Sequence, residues 1–456
     1  MEEEKKGIKN TSDLTVGRPV GVLCRYAIPM LFSMFFQQAY NLVDGWIAGN
    51  YISTEAMAAV GACYPLTVFL IAISSGMSLG CSILCSQAFG RHDHAELKSG
   101  AGTALCAFIP LALLISALGL VLSPAVLRWL DVPEDLFALT VTYMRVYILA
   151  FPFQFIYDIS NGVLTGMGNS RLPLLFLVLS SVCHIVLDLV FVALGNAGVS
   201  ALAWATVLSQ FIAAALALWT LRRFMARIPD RTPRFSAPLL KRILALGIPS
   251  MLQHMFMSLG QLAMQSIING YGTVVLAGYS VVFRLNGIVI NTLMALSNAL
   301  SGFIAQNKGA DKPERIRQGI RISLVLGYAF SALVIAVLFL CGERLIALFL
   351  SEETERAAVI AAGMGFIRVV VPFYLLVCLK IVCDGALRGL GAMTAFMLAT
   401  LSDAVVRVFA GAPFSARWGI TGVWAVWPVA WLFGTVLSAL PLLFRLRELF
   451  RQTPAV

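Results

Sequence analysis

Residues 99–122 read SGAGTALCAFIPLALLISALGLVL, a run of 24 residues without one charged side chain. A helix needs about 20 apolar residues to cross the hydrocarbon core of a bilayer, so this run is long enough to span it. Comparable runs recur, and we place twelve spans at 23–48, 55–86, 99–122, 136–157, 172–194, 199–221, 243–268, 274–305, 322–340, 358–384, 393–411 and 419–443. The sequence therefore predicts an all-α polytopic membrane protein.

The composition supports this fold class. Hydrophobic residues make up 59% of the 456 residues and charged residues only 12%. A soluble domain carries about 25% charged residues, because its surface must face water. The net charge of +10 does not indicate a nucleic-acid partner, since the basic residues fall in short clusters between apolar runs. We therefore expect a lipid bilayer around the protein and no nucleic acid.

The distribution of Lys and Arg predicts the orientation. With an even number of spans both termini lie on one side, and the loops on that side hold 24 of the 33 basic residues. The opposite loops hold four: Arg128, Arg344, Arg356 and Arg417. Because cytoplasmic loops carry the excess of Lys and Arg, we expect a multi-pass protein of the cell membrane with both termini in the cytoplasm.

A repeat of about 220 residues divides the chain into two halves of six spans each. Ala27-Ile28-Pro29 corresponds to Gly247-Ile248-Pro249, and Leu164-x-Gly166-x-Gly168 corresponds to Leu387-x-Gly389-x-Gly391. Two six-helix, pseudo-symmetric bundles with one orientation follow, an arrangement found in transporters whose substrate path lies between the repeats. The predicted organisation is an N-terminal lobe (1–221), a cytoplasmic linker (222–242), a C-terminal lobe (243–443) and a cytoplasmic tail (444–456).

Carboxylates inside the spans of the first half indicate a coupling site. Asp44 lies in span 1 and Asp188 in span 5, at similar depth counted from the cytoplasmic ends of the two spans. Charges inside a span are costly and mark functional sites, and two carboxylates in one cavity would not both ionise easily. We expect proton coupling here, or Na⁺ binding, with neighbouring groups from Asn41, Asn161 and His184. An interfacial Asp44, neutralisation by Arg145, or a merely hydrogen-bonding His184 remain alternatives.

The second half carries a different set of charges. Lys380 and Asp384, and likewise Asp403 and Arg407, are four residues apart and can each pair on one helical face. Internal ion pairs are the favoured interpretation, and gating or substrate contact is the alternative. The sequence does not assign a role to Arg284 or Arg368.

Polar, Met and aromatic residues of the equivalent spans 1 and 7 are candidates for a substrate cavity. Flat organic cations bind to such surfaces by stacking and cation–π contact. The candidates are Met34, Gln37, Gln38, Tyr40, Gln253, His254 and Met257. Pro29 removes a helical hydrogen bond within span 1, and we expect it to act as a hinge.

The sequence resembles the multidrug and toxic compound extrusion (MATE) family over essentially its whole length. The motifs are Asn41-Leu42-Val43-Asp44-Gly45, Met57-Ala58-Ala59-Val60-Gly61, Gln87-Ala88-Phe89-Gly90, Gly166-Met167-Gly168-Asn169, Ile185-Val186-Leu187-Asp188, Gln306-Asn307-Lys308-Gly309-Ala310 and Leu387-Arg388-Gly389-Leu390-Gly391. The resemblance implies a pair of six-helix bundles that export cationic amphipathic drugs in exchange for H⁺ or Na⁺. Asp44 and Asp188 match the carboxylates of the prokaryotic branch whose cation site lies in the first lobe.

Several alternatives are weighed against this function. A lipid-linked saccharide flippase of the wider superfamily would need an arginine-rich cavity. A membrane-embedded enzyme would need a cluster of catalytic side chains, and the four histidines and their neighbours form none. We therefore expect a secondary antiporter without an organic cofactor, not an enzyme, acting as a monomer on organic cations.

Overall fold

The computed structural model describes residues 13–47, 54–193, 198–228, 233–350 and 355–451. Thirteen α-helices lie in these ranges: α1 (Pro19–Ile47), α2 (Thr54–Gly90), α3 (His94–Trp129), α4 (Glu134–Tyr147), α5 (Phe151–Gly166), α6 (Arg171–Ala193), α7 (Val199–Ala226), α8 (Ala237–Asn269), α9 (Thr273–Gly309), α10 (Pro313–Ala347), α11 (Arg356–Val370), α12 (Tyr374–Gly389) and α13 (Met393–Arg451). Single 3₁₀ turns join α4 to α5 at Ile148–Ala150 and α11 to α12 at Val371–Phe373. The all-α prediction is confirmed.

The number of spans agrees with the prediction once α13 is divided. Eleven stretches of the described chain are long and apolar enough to cross a membrane. The last of them, α13, has 59 residues but contains Gly419 in a non-helical conformation (φ 59°, ψ −147°). A straight helix of that length would measure about 88 Å, almost three times the hydrocarbon thickness. The two predicted spans 393–411 and 419–443 are therefore the two parts of α13.

Several helices are longer than the apolar runs that predict them. α2 ends at Gly90 and α9 at Gly309, four residues beyond the predicted spans 55–86 and 274–305. Each extra turn begins with a glutamine, Gln87 or Gln306, and hydropathy ends the predicted span before it although the helix continues. The α3 helix begins where the Asp93 side chain accepts a hydrogen bond from the Glu96 amide, the arrangement of a helix N-cap.

Packing divides the described residues into two units. Unit 1 is formed within Met1–Thr15 and Ile28–Met251, and unit 2 within Val16–Ala27 and Leu252–Val456. The helices α1 and α8 each contribute to both units, with divisions at Ala27/Ile28 and Met251/Leu252. Both divisions fall within two residues of the prolines that the repeat relates, Pro29 and Pro249. The predicted lobes 1–221 and 243–443 divide the chain by sequence, whereas the packing assigns the first turns of α1 and α8 to the other unit.

The two halves of the repeat share one close contact between helix backbones, α5 with α2 in unit 1 and α12 with α9 in unit 2. In unit 1, a Cβ on Gly162 of α5 would lie 2.5 Å from the Ser78 carbonyl oxygen of α2. In unit 2, a Cβ on Gly385 of α12 would lie 2.6 Å from the Ser297 carbonyl oxygen of α9. Only glycine permits so close an approach of two helix backbones. Glycine at these equivalent positions thus places α5 on α2 and α12 on α9.

Candidate functional site

A buried histidine–aspartate pair occupies α6 in unit 1. His184 and Asp188 are one turn apart, and their side chains are 3% and 0% exposed. The His184 Nδ1 atom lies 3.0 Å from the Asp188 Oδ2 atom. Neither oxygen of Asp188 has a hydrogen-bond partner among the described residues. The structure thus places His184 beside Asp188, and their role in coupling stays a prediction.

A hydroxyl of α7 contacts the other ring nitrogen of His184. The His184 Nε2 atom lies 3.1 Å from the Thr206 Oγ1 atom, and Thr206 Oγ1 donates to the Leu202 carbonyl oxygen at 3.1 Å. When both ring nitrogens carry hydrogen, Nε2 donates to Thr206 and Nδ1 faces the Asp188 carboxylate. Thr206 and Asp188 therefore contact the two different nitrogens of the His184 ring.

The other residues predicted for the coupling site are not joined to this pair by described contacts. Asn161 lies on α5, where its side chain is hydrogen-bonded to Tyr157 and its Oδ1 atom is buried without a partner in the described part of the chain. Asn41 and Asp44 belong to α1, but their side chains lie outside the described residues. Arg145 is exposed and so does not neutralise the buried Asp188.

The residues predicted for a substrate cavity divide between exposed and buried positions. On α1, Gln37 and Gln38 are exposed and Met34 is half-buried, while the side chain of Tyr40 lies outside the described residues. On α8, His254 and Met257 are half-buried. Gln253 is 4% exposed, and its Nε2 atom contacts the Met257 Sδ atom at 3.7 Å. Gln253 thus packs within its own helix, and its place in a cavity stays a prediction.

The two ion pairs predicted in the second half are confirmed. Lys380 Nζ lies 2.8 Å from Asp384 Oδ2, and Arg407 Nε lies 2.9 Å from Asp403 Oδ2. All four side chains are buried. The second oxygen of Asp384 accepts a hydrogen bond from Ser438 of α13. Arg284 and Arg368 are exposed and take no part in these pairs.

Sequence comparison identifies the family. The MatE family model matches residues 29–190 and 249–412, one match in each half of the repeat. The chain belongs to the MatE family. It is 30% identical over 337 residues to the probable multidrug resistance protein YoeA of Bacillus subtilis, a match that covers 72% of this chain and 73% of the relative. It is 27% identical to the probable multidrug resistance protein YpnP of the same organism, over 94% of this chain and 96% of the relative.

Solved transporter structures share the fold. A transporter of the MOP superfamily from Pyrococcus furiosus superposes with a TM-score of 0.87 and covers 98% of this chain and 99% of its own, at 22% identity. Members of the MatE family are transporters, so the chain is a membrane transporter and not an enzyme.

The sequence analysis did not predict three residues that the structure adds as functional candidates: Thr206, Ser438 and Arg388. The first two are contacts between helices, which leave no local pattern.

Proposed function

We propose that this transporter exports cationic amphipathic compounds in exchange for protons, with the proton carried by His184 and Asp188. The observation that supports the proposal best is the buried pair itself, with His184 oriented by Thr206. A buried acid with a partner that is charged only when protonated can change its charge with pH. A permanent Lys or Arg partner would hold the acid ionised instead.

The class of cargo follows from charge and from the relatives. Among the Asp, Glu, Lys and Arg side chains in the described part of unit 1, Asp188 is the buried one, and a carboxylate favours a cationic cargo. The two Bacillus relatives are named as probable multidrug resistance proteins. Exposed Phe35, Phe36 and Gln37 of α1 offer the stacking surface that a flat cation needs.

Coupling requires two packings of the chain that differ in proton affinity. A proton can shift an equilibrium only by its differential affinity for the two states. Pro29 and Pro249 each lie within a helix, next to the point where that helix passes from one unit to the other. Because a proline inside a helix removes a backbone hydrogen bond, bending at these two positions would let protonation of Asp188 change the packing of α1.

A reconstituted efflux assay tests the function. Liposomes that contain the purified protein are loaded with ethidium. Efflux of the dye is followed under an imposed pH gradient or an imposed Na⁺ gradient. The proposal expects efflux driven by the pH gradient and unchanged by Na⁺. Efflux driven by Na⁺ alone would assign the coupling ion as Na⁺, and efflux that follows neither gradient would remove the antiport function. The predicted monomer is checked separately, by measuring the molar mass of the purified protein in detergent by light scattering.

A further inference from the structure

Arg388 of α12 is a buried guanidinium in unit 2. Its exposed fraction is 3%. Its Nη2 atom donates to the neutral Ser297 Oγ atom of α9 at 2.9 Å, and its Cζ atom lies 5.3 Å from the centroid of the Phe396 ring. In the described part of the chain, its Nε atom is buried without a hydrogen-bond partner. Arg388 therefore contacts a hydroxyl and a ring, and its Nε–H has no acceptor in the described part of the chain.

The buried carboxylates of unit 2 are already paired with residues other than Arg388. The buried Asp, Glu, Lys and Arg side chains of unit 2, within its described ranges, are those of Lys380, Asp384, Arg388, Asp403 and Arg407. Lys380 holds Oδ2 of Asp384, Ser438 donates to Oδ1, and Arg407 holds Asp403. No carboxylate among the described residues lies within ion-pair distance of Arg388. The buried set therefore carries one positive charge without a counterion.

Ser297 is oriented to receive Arg388. The Ser297 hydroxyl donates to the Ile381 carbonyl oxygen at 2.7 Å, so its lone pair accepts from the guanidinium. The equivalent hydroxyl of unit 1, Ser78, makes the same bond to the Asp158 carbonyl oxygen, but the position equivalent to Arg388 is the uncharged Thr165. The guanidinium is therefore added to a backbone contact that unit 1 forms without it.

A buried, uncompensated guanidinium is costly, because its charge has left water without gaining an opposite charge. Arg also presents donors in a planar fork that matches carboxylate and phosphate oxygens. We propose that the guanidinium of Arg388, held in place by Ser297, is an oxyanion subsite that binds the carboxylate or phosphate group of a cargo molecule. With the proposed export function, this subsite extends the cargo to amphiphiles that carry an anionic group beside their cation.

Four titratable or charged side chains surround the subsite, and none of them has to move for an anion to bind. His254 of α8 and Asp384 of α12 lie within electrostatic range of Arg388. Lys380 and Arg407 belong to the same cluster. Since Asp384 stays held by Lys380 and Ser438, it does not need to leave its partners for an anion to bind at Arg388.

Two dyes that differ only at a carboxyl group provide the test. Rhodamine 110 carries a free carboxylate, and rhodamine 123 is its methyl ester. Their dissociation constants for the purified full-length protein in dodecyl maltoside are measured by fluorescence anisotropy at one pH, without any gradient. Arg388→Gln is expected to weaken rhodamine 110 binding by about tenfold or more, the loss of a charged hydrogen bond, and to leave rhodamine 123 within about twofold.

The controls make each outcome decisive. Arg388→Lys keeps the charge but not the planar fork, so it should still weaken rhodamine 110 binding selectively, and it is the second variant if Arg388→Gln does not fold. Arg445→Gln removes an exposed arginine paired with Glu448 and should change neither dye. Equal weakening of both dyes, or none, would overturn the subsite. Competition of phosphatidylglycerol with rhodamine 110 at equal affinity would assign Arg388 to a lipid phosphate and overturn the cargo assignment. Because no gradient is used, failure of proton coupling leaves this result unaffected.

Discussion

Two equivalent helices, α5 in unit 1 and α12 in unit 2, differ in the charge of the side chains on one face. One face of α5 carries Tyr157, Asn161 and Thr165 at intervals of four residues, and the equivalent face of α12 carries Lys380, Asp384 and Arg388. Both helices use glycine to approach their partner, and both receive a serine hydroxyl bond at an equivalent carbonyl. The repeat therefore preserves the backbone contact, while the side chains on the same face have become neutral in one unit and ionic in the other.

The difference separates two uses of a buried carboxylate. Asp384 and Asp403 of unit 2 face Lys and Arg, whose positive charge does not depend on a proton gained near neutral pH. Asp188 of unit 1 faces His184, whose charge depends on a bound proton. We therefore expect mutations of the two ion pairs of unit 2 to change stability and mutations of the His184–Asp188 pair of unit 1 to change coupling.

The largest effect is expected from breaking one ion pair of unit 2. Lys380→Met leaves Asp384 buried without its cation and should lower the free energy of unfolding by about 3–5 kcal/mol. Its measurement is equilibrium unfolding in detergent. The matched control is Lys380→Met combined with Asp384→Leu, which removes both charges and should recover most of the loss. A double variant as unstable as the single one would show that packing of the Lys380 stem on Gly434, not charge, is responsible.

A mutation of Asp188 in unit 1 is expected to change the free energy of unfolding less than Lys380→Met does, and to reduce transport more. Asp188→Asn keeps the shape of the side chain and removes the proton, so efflux driven by a pH gradient should fall by about 100-fold, the size of a strong coupling free energy. The unfolding midpoint should stay close to that of the original protein. Asp131→Asn is the control, because Asp131 is exposed and in the left-handed region (φ 52°), which Asn tolerates. Retained pH-driven efflux in Asp188→Asn would assign coupling to another group.

The smallest effect is expected at Thr206. Thr206→Val removes the acceptor for His184 Nε2–H and destabilises the protonated pair by about 1 kcal/mol. The pH at half-maximal efflux should then move down by about 0.7 units. Thr206→Ser keeps the hydroxyl and should keep the original profile. An unchanged profile in the valine variant would mean that Thr206 does not orient His184.

The features predictable from the sequence are those determined within a single helix. The spans follow from apolar length, and the pairs Lys380/Asp384 and Asp403/Arg407 follow from the four-residue spacing. Thr206 meets His184 across two helices, and Ser438 meets Asp384 across 54 residues, so neither has a local signal. The sequence prediction counts Arg388 with the cytoplasmic loops because the predicted span 358–384 ends before it, whereas α12 continues to Gly389. Since helical side chains point back toward the N-terminus, it instead reaches Ser297 inside the unit, a position that the spacing of Lys380, Asp384 and Arg388 indicates in hindsight.

The most direct test of the asymmetry is proton release on cargo binding. Ethidium is added to purified protein in weakly buffered detergent solution, and the released protons are counted with a pH indicator. The original protein and the Lys380→Met, Asp384→Leu variant should each release about one proton per bound ethidium, because binding and protonation compete, and Asp188→Asn should release none. Proton release by Asp188→Asn, or its loss in the unit 2 variant alone, would contradict the account.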